Sequence, residues 1–238
     1  MALCENCCQR AYNGGYGTWG DKFMSIEIYL HPLSSYCQKV KTALYENDTP
    51  FETKMLDGSE PAASEFAALW PVGRFPILTD GGRMVAEASI IIEYLDVHYP
   101  GRTRFIPSHP DVALEMRLMD RFFDNYINTP QQRLVDVTLG RDTTEEAPLR
   151  EKMELAYAVQ DKRLDGRVWA AGEDFSLADC GAAPTLLYAD WTHAIPKQFR
   201  NIWAYRDRLL ARPSYARALN EAQPYRHMFP LGAPVGRD

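Results

Sequence analysis

The chain has 238 residues, 46% hydrophobic and 24% charged, with a net charge of −6. That is the composition of a folded globular protein and excludes global disorder. No apolar run approaches the roughly 18–20 residues of a membrane span, and no basic stripe suits a phosphate backbone, so neither a bilayer nor a nucleic acid is an expected partner.

The charge is unevenly placed: residues 24–101 hold five Lys and Arg against eleven Asp and Glu, while the residues beyond are balanced. Residues 1–23 lack the apolar core of a secretory signal, so the cytoplasm is the expected compartment. With Gly14, Gly15 and Gly17 and no apolar periodicity, they read as a disordered leader, with Met24 as the natural start. Cys4, Cys7, Cys8, Cys37 and Cys180 are odd in number and suggest no disulfide framework. Cys4-x-x-Cys7-Cys8 is at most half a zinc site, since no second pair follows nearby, and no metal is expected.

Ile26 to Leu30 alternates and is rich in β-branched residues, which predicts a strand. Cys37, Val40, Ala43 and Leu44 then recur at helical spacing, giving a helix that ends near Asn47 and Asp48. Phe51 to Met55 is a weaker strand, and Glu60 to Leu69 a short helix stopped by Pro71 and Gly73. Phe75 to Thr79, a turn at Asp80-Gly81-Gly82, and Arg83 to Ala86 predict a hairpin. A helix follows from Ala88 to His98. The order β-α-β-α-β-β-α implies a mixed four-stranded sheet with helices on its faces.

Tyr99-Pro100-Gly101 closes that unit, and Ile106 to Pro110 reads as a linker to an all-helical second half. Met119, Phe122, Phe123 and Tyr126 share one helical face, and Pro130 interrupts the pattern. Arg141 to Glu146 reads as a solvated loop, and Leu149 to Leu164 as the next helix. Ser176 with Asp179 three residues on predicts a capping box in its Asp form. Ile202 to Leu210 is a further helix stopped at Pro213. The expected division is a leader at 1–23, an α/β domain at 24–101 and a helical domain at 110–238.

Three stretches together resemble the glutathione transferase superfamily: Pro32-Leu33-Ser34-Ser35-Tyr36-Cys37 after the first strand, Phe75-Pro76-Ile77-Leu78, and Glu87-Ala88-Ser89-Ile90-Ile91-Ile92-Glu93-Tyr94-Leu95. Trp169-x-x-Gly172-x-x-Phe175-Ser176-Leu177-Ala178-Asp179 is similar to the N-capping region of the family's helical domain. The resemblance covers Met24 to about Phe229 and is nearest to serine-type classes such as theta, zeta and beta-like ones. It implies a thioredoxin-like first domain, glutathione as cosubstrate, no metal, a homodimer, and detoxification chemistry in which the glutathione thiolate attacks a small apolar electrophile.

An ordinary thiol has a pKa near 8.5, so thiolate chemistry at neutral pH needs a donor to the sulfur. Ser34, just before the helical pattern, is the residue the resemblance assigns to that task. It lies six residues before Val40; Ser35 is the rival by one position. Both serines also fit a plain helix cap. A tyrosine-type hydroxyl at Tyr29 lies too far before the turn. The resemblance makes Pro76 the cis-proline, with Phe75 offering its backbone to the cysteinyl unit like an added strand. It makes Glu87 the acid for the γ-glutamyl ammonium, with helix amides for its carboxylate. Ala88 stands where the family has a serine, and Ser89 comes one residue late, a rotation of about 100° on a helix. Phe122, Tyr126, Tyr188 and Trp191 are the candidate apolar wall for the second substrate, while Arg117 and Arg121 read as solvated or ion-paired. Two alternatives stay open: a glutathione-dependent thiol-disulfide reductase using Cys37, or a non-catalytic binding or scaffold member of the superfamily.

Overall fold

The computed structural model describes residues 26–237; the expected leader, with Cys4, Cys7, Cys8 and Met24, lies outside them. Strands β1 (Ile26–Leu30), β2 (Phe51–Met55), β3 (Ile77–Asp80) and β4 (Arg83–Ala86) form one sheet in the order β2-β1-β3-β4. β1 runs parallel to β2 and antiparallel to β3, and β3 pairs antiparallel with β4. The sheet is therefore mixed, as the alternating start and hairpin finish predict. Gly81 and Gly82 both have positive φ, 56° and 87°, which the tight two-residue turn between β3 and β4 demands.

Helix α1 (Ser35–Glu46) joins β1 to β2, α2 (Ala62–Leu69) joins β2 to β3, and α3 (Ala88–His98) follows β4. Ile28, Leu30, Val40, Leu44, Leu78, Ile91 and Ile92 are buried together as the core of this half. The third predicted strand starts two residues later than its pattern suggested, because Phe75 and Pro76 precede the ladder.

The helical half comprises α4 (Pro110–Phe122), α5 (Thr129–Thr138), α6 (Glu146–Arg163), α7 (Leu177–Thr192), α8 (Arg200–Leu210) and α9 (Pro213–Ala222). A π-helical turn, Phe123–Asn128, joins α4 to α5. The Thr129 N–H bonds the Asp124 carbonyl five residues back. This wide turn carries the chain past Pro130, which has no N–H to donate. The interruption expected at Pro130 thus takes the form of a widened turn rather than a break.

The wide turn also corrects the apolar face read from the sequence. Met119, Phe123 and Ile127 are fully buried, whereas Tyr126 is 58% exposed. Successive four-residue steps replace the alternating three-and-four pattern of a regular helix.

The capping box at the start of α7 forms. Asp179 accepts the Ser176 N–H and hydroxyl, both at 2.8 Å, as well as the Ala170 N–H at 2.8 Å and the Tyr205 hydroxyl at 2.5 Å. α9 was not anticipated. Its pattern of Tyr215, Ala218, Leu219 and Ala222 behind Pro213 was present to be read. α1 is enclosed by α7 and α9 on the side away from the sheet, and even Gln38, Lys39 and Lys41 are buried. The two halves therefore share one continuous core.

Candidate functional site

Register gathers the candidate residues at one end of the sheet. Tyr29 pairs with Ile77, and Ile77 pairs with Ala86. The chain leaving β1, the residue before β3 and the residue after β4 therefore emerge side by side. These are the turn leading to Ser34, Pro76, and Glu87. Sequence neighbours did not bring them together; strand pairing did.

Ser34 is the N-cap of α1, with extended backbone, and its Oγ accepts the Cys37 N–H at 3.4 Å. Accepting that bond leaves the hydroxyl hydrogen available, so capping a helix and donating to a sulfur are compatible. Its own N–H bonds the His31 carbonyl at 3.0 Å. Ser35 points elsewhere: it is buried, and its Oγ accepts from Asn128 Nδ2 at 3.5 Å. Burial pushes the neutral form of His31, and its Nδ1 accepts the Leu33 N–H at 3.2 Å.

Two other candidates are withdrawn by their surroundings. Cys37 is fully buried, which pushes its thiol up to about 11. A thiol held protonated and away from solvent is a poor exchanger. Tyr29 is buried too, and burial together with its 2.9 Å bond to Glu65 raises its hydroxyl to about 12.

The Phe75–Pro76 peptide bond is cis, and Phe75 is 37% exposed beside that bond. Glu87, the N-cap of α3, has φ +70° and ψ 118°, a backbone conformation that residues with a Cβ rarely adopt. Its side chain is exposed and makes no hydrogen bond or ion pair among the described residues.

Ser89 has a different task from the one the late serine suggested. Its hydroxyl donates to Asp120 Oδ2 at 2.8 Å and accepts from Lys39 Nζ at 3.0 Å and from Arg121. Lys39 also bonds Asp120 Oδ1 at 2.5 Å and Asp124 Oδ2 at 3.0 Å. Burial works against the Lys39 charge, but the two carboxylates outweigh it and hold its pKa above the ordinary value. Burial likewise opposes ionisation of Asp120, and the Lys39 charge overcomes it; at Asp124 burial wins and the carboxyl is raised. Sequence reasoning missed this cluster. The available signal was Asp120 and Asp124 spaced four apart within an apolar stripe.

Glu87, Ala88, Ser89, Tyr36, Arg117 and Arg121 line a cleft of about 300 Å³ above that cluster. A second, more apolar cleft of about 370 Å³ lies between the π turn, α5 and α6. It is lined by Phe122, Tyr126, Leu149, Leu155 and Val159, with Arg133 and Lys152 among them. Two of the four residues expected to form the apolar wall, Phe122 and Tyr126, are thus together. The other two are not with them. Tyr188 and Trp191 are buried under the C-terminal tail, where the Phe229 ring lies 5.4 and 5.3 Å from theirs. The Tyr188 hydroxyl accepts from Gln38 Nε2 at 2.7 Å.

Among the described residues no group of side chains could hold a metal ion, and no helix is long and apolar enough to cross a membrane.

Comparison with known proteins agrees with this architecture. Residues 28–103 match the family model for the glutathione S-transferase N-terminal domain, and residues 115–213 the one for the C-terminal domain. A stringent starvation protein A homolog from Coxiella burnetii is 25% identical over 83% of this chain and 93% of its own length. FtsZ-localized protein A from Caulobacter vibrioides is 28% identical over 84% and 94%. Among solved structures, a delta-class glutathione transferase from Nilaparvata lugens superposes with a TM-score of 0.76 at 22% identity, covering 86% of this chain and 98% of its own.

Proposed function

The chain belongs to the glutathione S-transferase superfamily, and from that premise we propose that it binds glutathione at the end of its sheet and uses the thiolate to attack a small apolar electrophile. The observation that carries this reading is the row Tyr29–Ile77–Ala86, which brings the Ser34 turn, the cis-proline and the strained Glu87 to one edge. In this reading Phe75 pairs its backbone with the cysteinyl unit, Glu87 takes the γ-glutamyl ammonium, and the Ser34 hydroxyl donates to the sulfur. A hydrogen bond to a charged group contributes about 1.5–3 kcal/mol, and the α1 N-terminus about 0.3–1. At about 1.36 kcal/mol per unit, the thiol pKa falls by roughly 1–3 units, enough to populate the thiolate near pH 7. The electrophile sits against the Phe122 and Tyr126 wall.

A second copy of the chain is the partner in this reading. Its support is an exposed apolar face on α3 and α4, with Ile90, Val97, Leu114 and Leu118 between 48% and 69% exposed.

A second reading, a non-catalytic binding module, is favoured by Ala88, which removes a hydroxyl the family ordinarily supplies. Relatives named for starvation response and FtsZ localisation fit it too. Calorimetric titration with glutathione, followed by a conjugation assay with an activated aryl halide, separates the two. Binding with turnover supports the enzyme, and binding without turnover supports the module. An absence of binding overturns the glutathione site itself.

A further inference from the structure

Two successive amides of the turn that carries Ser34 are held by one residue. The His31 carbonyl accepts the Ser34 N–H at 3.0 Å, and the His31 ring nitrogen Nδ1 accepts the Leu33 N–H at 3.2 Å. A side chain that takes the amide two residues on is usually Asn or Asp, whose oxygen closes the same small ring. Here an imidazole does so. A backbone N–H only donates, so Nδ1 carries no hydrogen and the proton of the neutral ring lies on Nε2. A second proton would set Nδ1–H against the Leu33 N–H, two donors facing each other.

The surroundings favour the neutral ring. A 3₁₀ turn after α9, Gln223–Met228, brings Tyr225 against it, with ring centroids 4.9 Å apart and planes at 68°. Burial holds the imidazole below its ordinary value, and the Asp57 carboxylate, in the loop after β2, works against the burial. On the α1 side the Cys37 thiol lies against the His31 backbone, and burial keeps that thiol protonated. Pro32 is fixed independently, since its carbonyl accepts from the buried Gln38 Nε2 at 2.9 Å. The freedom left in the turn is at Leu33 and Ser34, the two residues whose amides His31 holds.

We infer that His31 is the positioning residue of the Ser34 turn: its neutral ring fixes Leu33 and with it the direction of the Ser34 hydroxyl, and protonation of the ring in mild acid frees that turn. This rests on the glutathione reading above, and adds the group that aims Ser34 and limits its working pH.

The test follows backbone amides by NMR in the full, unliganded chain from about pH 8 to pH 4. The Leu33 and Ser34 signals should move with the midpoint of the His31 ring, and the Leu33 amide should exchange faster once the ring is charged. In His31→Asn, whose Oδ1 offers an acceptor that does not titrate, both signals should stay in place. With glutathione and an activated aryl halide, His31→Leu should lower kcat at neutral pH about three- to tenfold, as expected for one neutral hydrogen bond. KM for glutathione should change little, and His31→Asn should restore kcat. The bound thiol also titrates, so the acid limb of kcat should be steeper in the wild type than in His31→Asn. Leu33 and Ser34 amides that stay still while His31 titrates overturn the inference, and that outcome requires no variant to fold. So does a ring still neutral at about pH 4, or an Asn variant as slow as the Leu variant. A wild-type chain without turnover overturns the glutathione reading instead, while the amide titration still decides whether His31 holds the turn.

Discussion

Lys39, in the middle of α1, and Asp120, on α4, form a 2.5 Å ion pair, with side chains 1% and 3% exposed. Both halves of the molecule contribute one charge to it, and Ser89 on α3 bridges them. The start of α3 and the start of α1, where the candidate site lies, are thereby tied to one buried anchor. Removing a single partner from such a pair leaves a charge without compensation in a low-dielectric interior, which costs far more than the pair contributes.

Lys39→Met should therefore destabilise the protein by about 3 kcal/mol or more, read as a lowered denaturant midpoint in chemical unfolding. Adding Asp120→Asn to that variant should recover part of the loss. If Lys39→Met unfolds at the wild-type midpoint, the ion pair is not the anchor described.

Ser34→Ala removes the hydroxyl but keeps the backbone and the helix dipole. The pKa of bound glutathione, followed by thiolate absorbance, should rise by about 1–2 units. Turnover at neutral pH should drop at least tenfold with glutathione affinity little changed. Ser35→Ala should do much less, since Ser35 is buried against Asn128. A larger pKa change in Ser35→Ala would move the activating role from Ser34 to Ser35.

Glu87 adopts its positive φ without the freedom of glycine. Glu87→Gly should raise stability by about 0.5–1 kcal/mol if relief of strain outweighs the added chain entropy, while weakening glutathione binding. Glu87→Gln, with the strain intact, should weaken binding by about 1–3 kcal/mol with an unchanged melting temperature. Loss of melting temperature in the Gln variant would make Glu87 a structural residue only.

Glu46 accepts from Arg212 at 2.6 and 2.8 Å, from Ser214 at 2.7 Å and from Thr103 at 3.0 Å. Burial opposes its ionisation, yet Arg212 and the two hydroxyls hold the carboxyl below its ordinary value. A depressed folded pKa means the stabilisation is present above the unfolded value, near 4.3, and disappears as pH falls through the folded one. Unfolding free energy should thus decline below about pH 4, and Arg212→Met should flatten that decline. An identical acid limb in both proteins would exclude this clamp as its origin.

Cys37, with its thiol pushed up to about 11 by burial, should stay unmodified by a disulfide reagent at pH 7 until the chain unfolds. Fast modification of Cys37 in the native protein, located by peptide mapping, would revive the thiol-exchange reading.

Most of the fold was legible along the chain because its cues are local. Alternation marks β1, the Gly81–Gly82 turn marks the hairpin, helical spacing marks α1 and α3, and Ser176 with Asp179 announces α7. Those signals extend over only a few residues, and each is satisfied within its own element. The motif residues Ser34, Pro76 and Glu87 were visible for the same reason, as a helix start, a strand start and a second helix start. Which way side chains turn once helices pack is a different matter. The π turn before Pro130 rotates Tyr126 outward, and the C-terminal tail closes over Tyr188 and Trp191. The partners of Ser89 and Lys39 lie 31 to 85 positions away. Whether a buried charge is tolerated depends on the group opposite it after packing, so Lys39 becomes the anchor of the site only in the folded molecule.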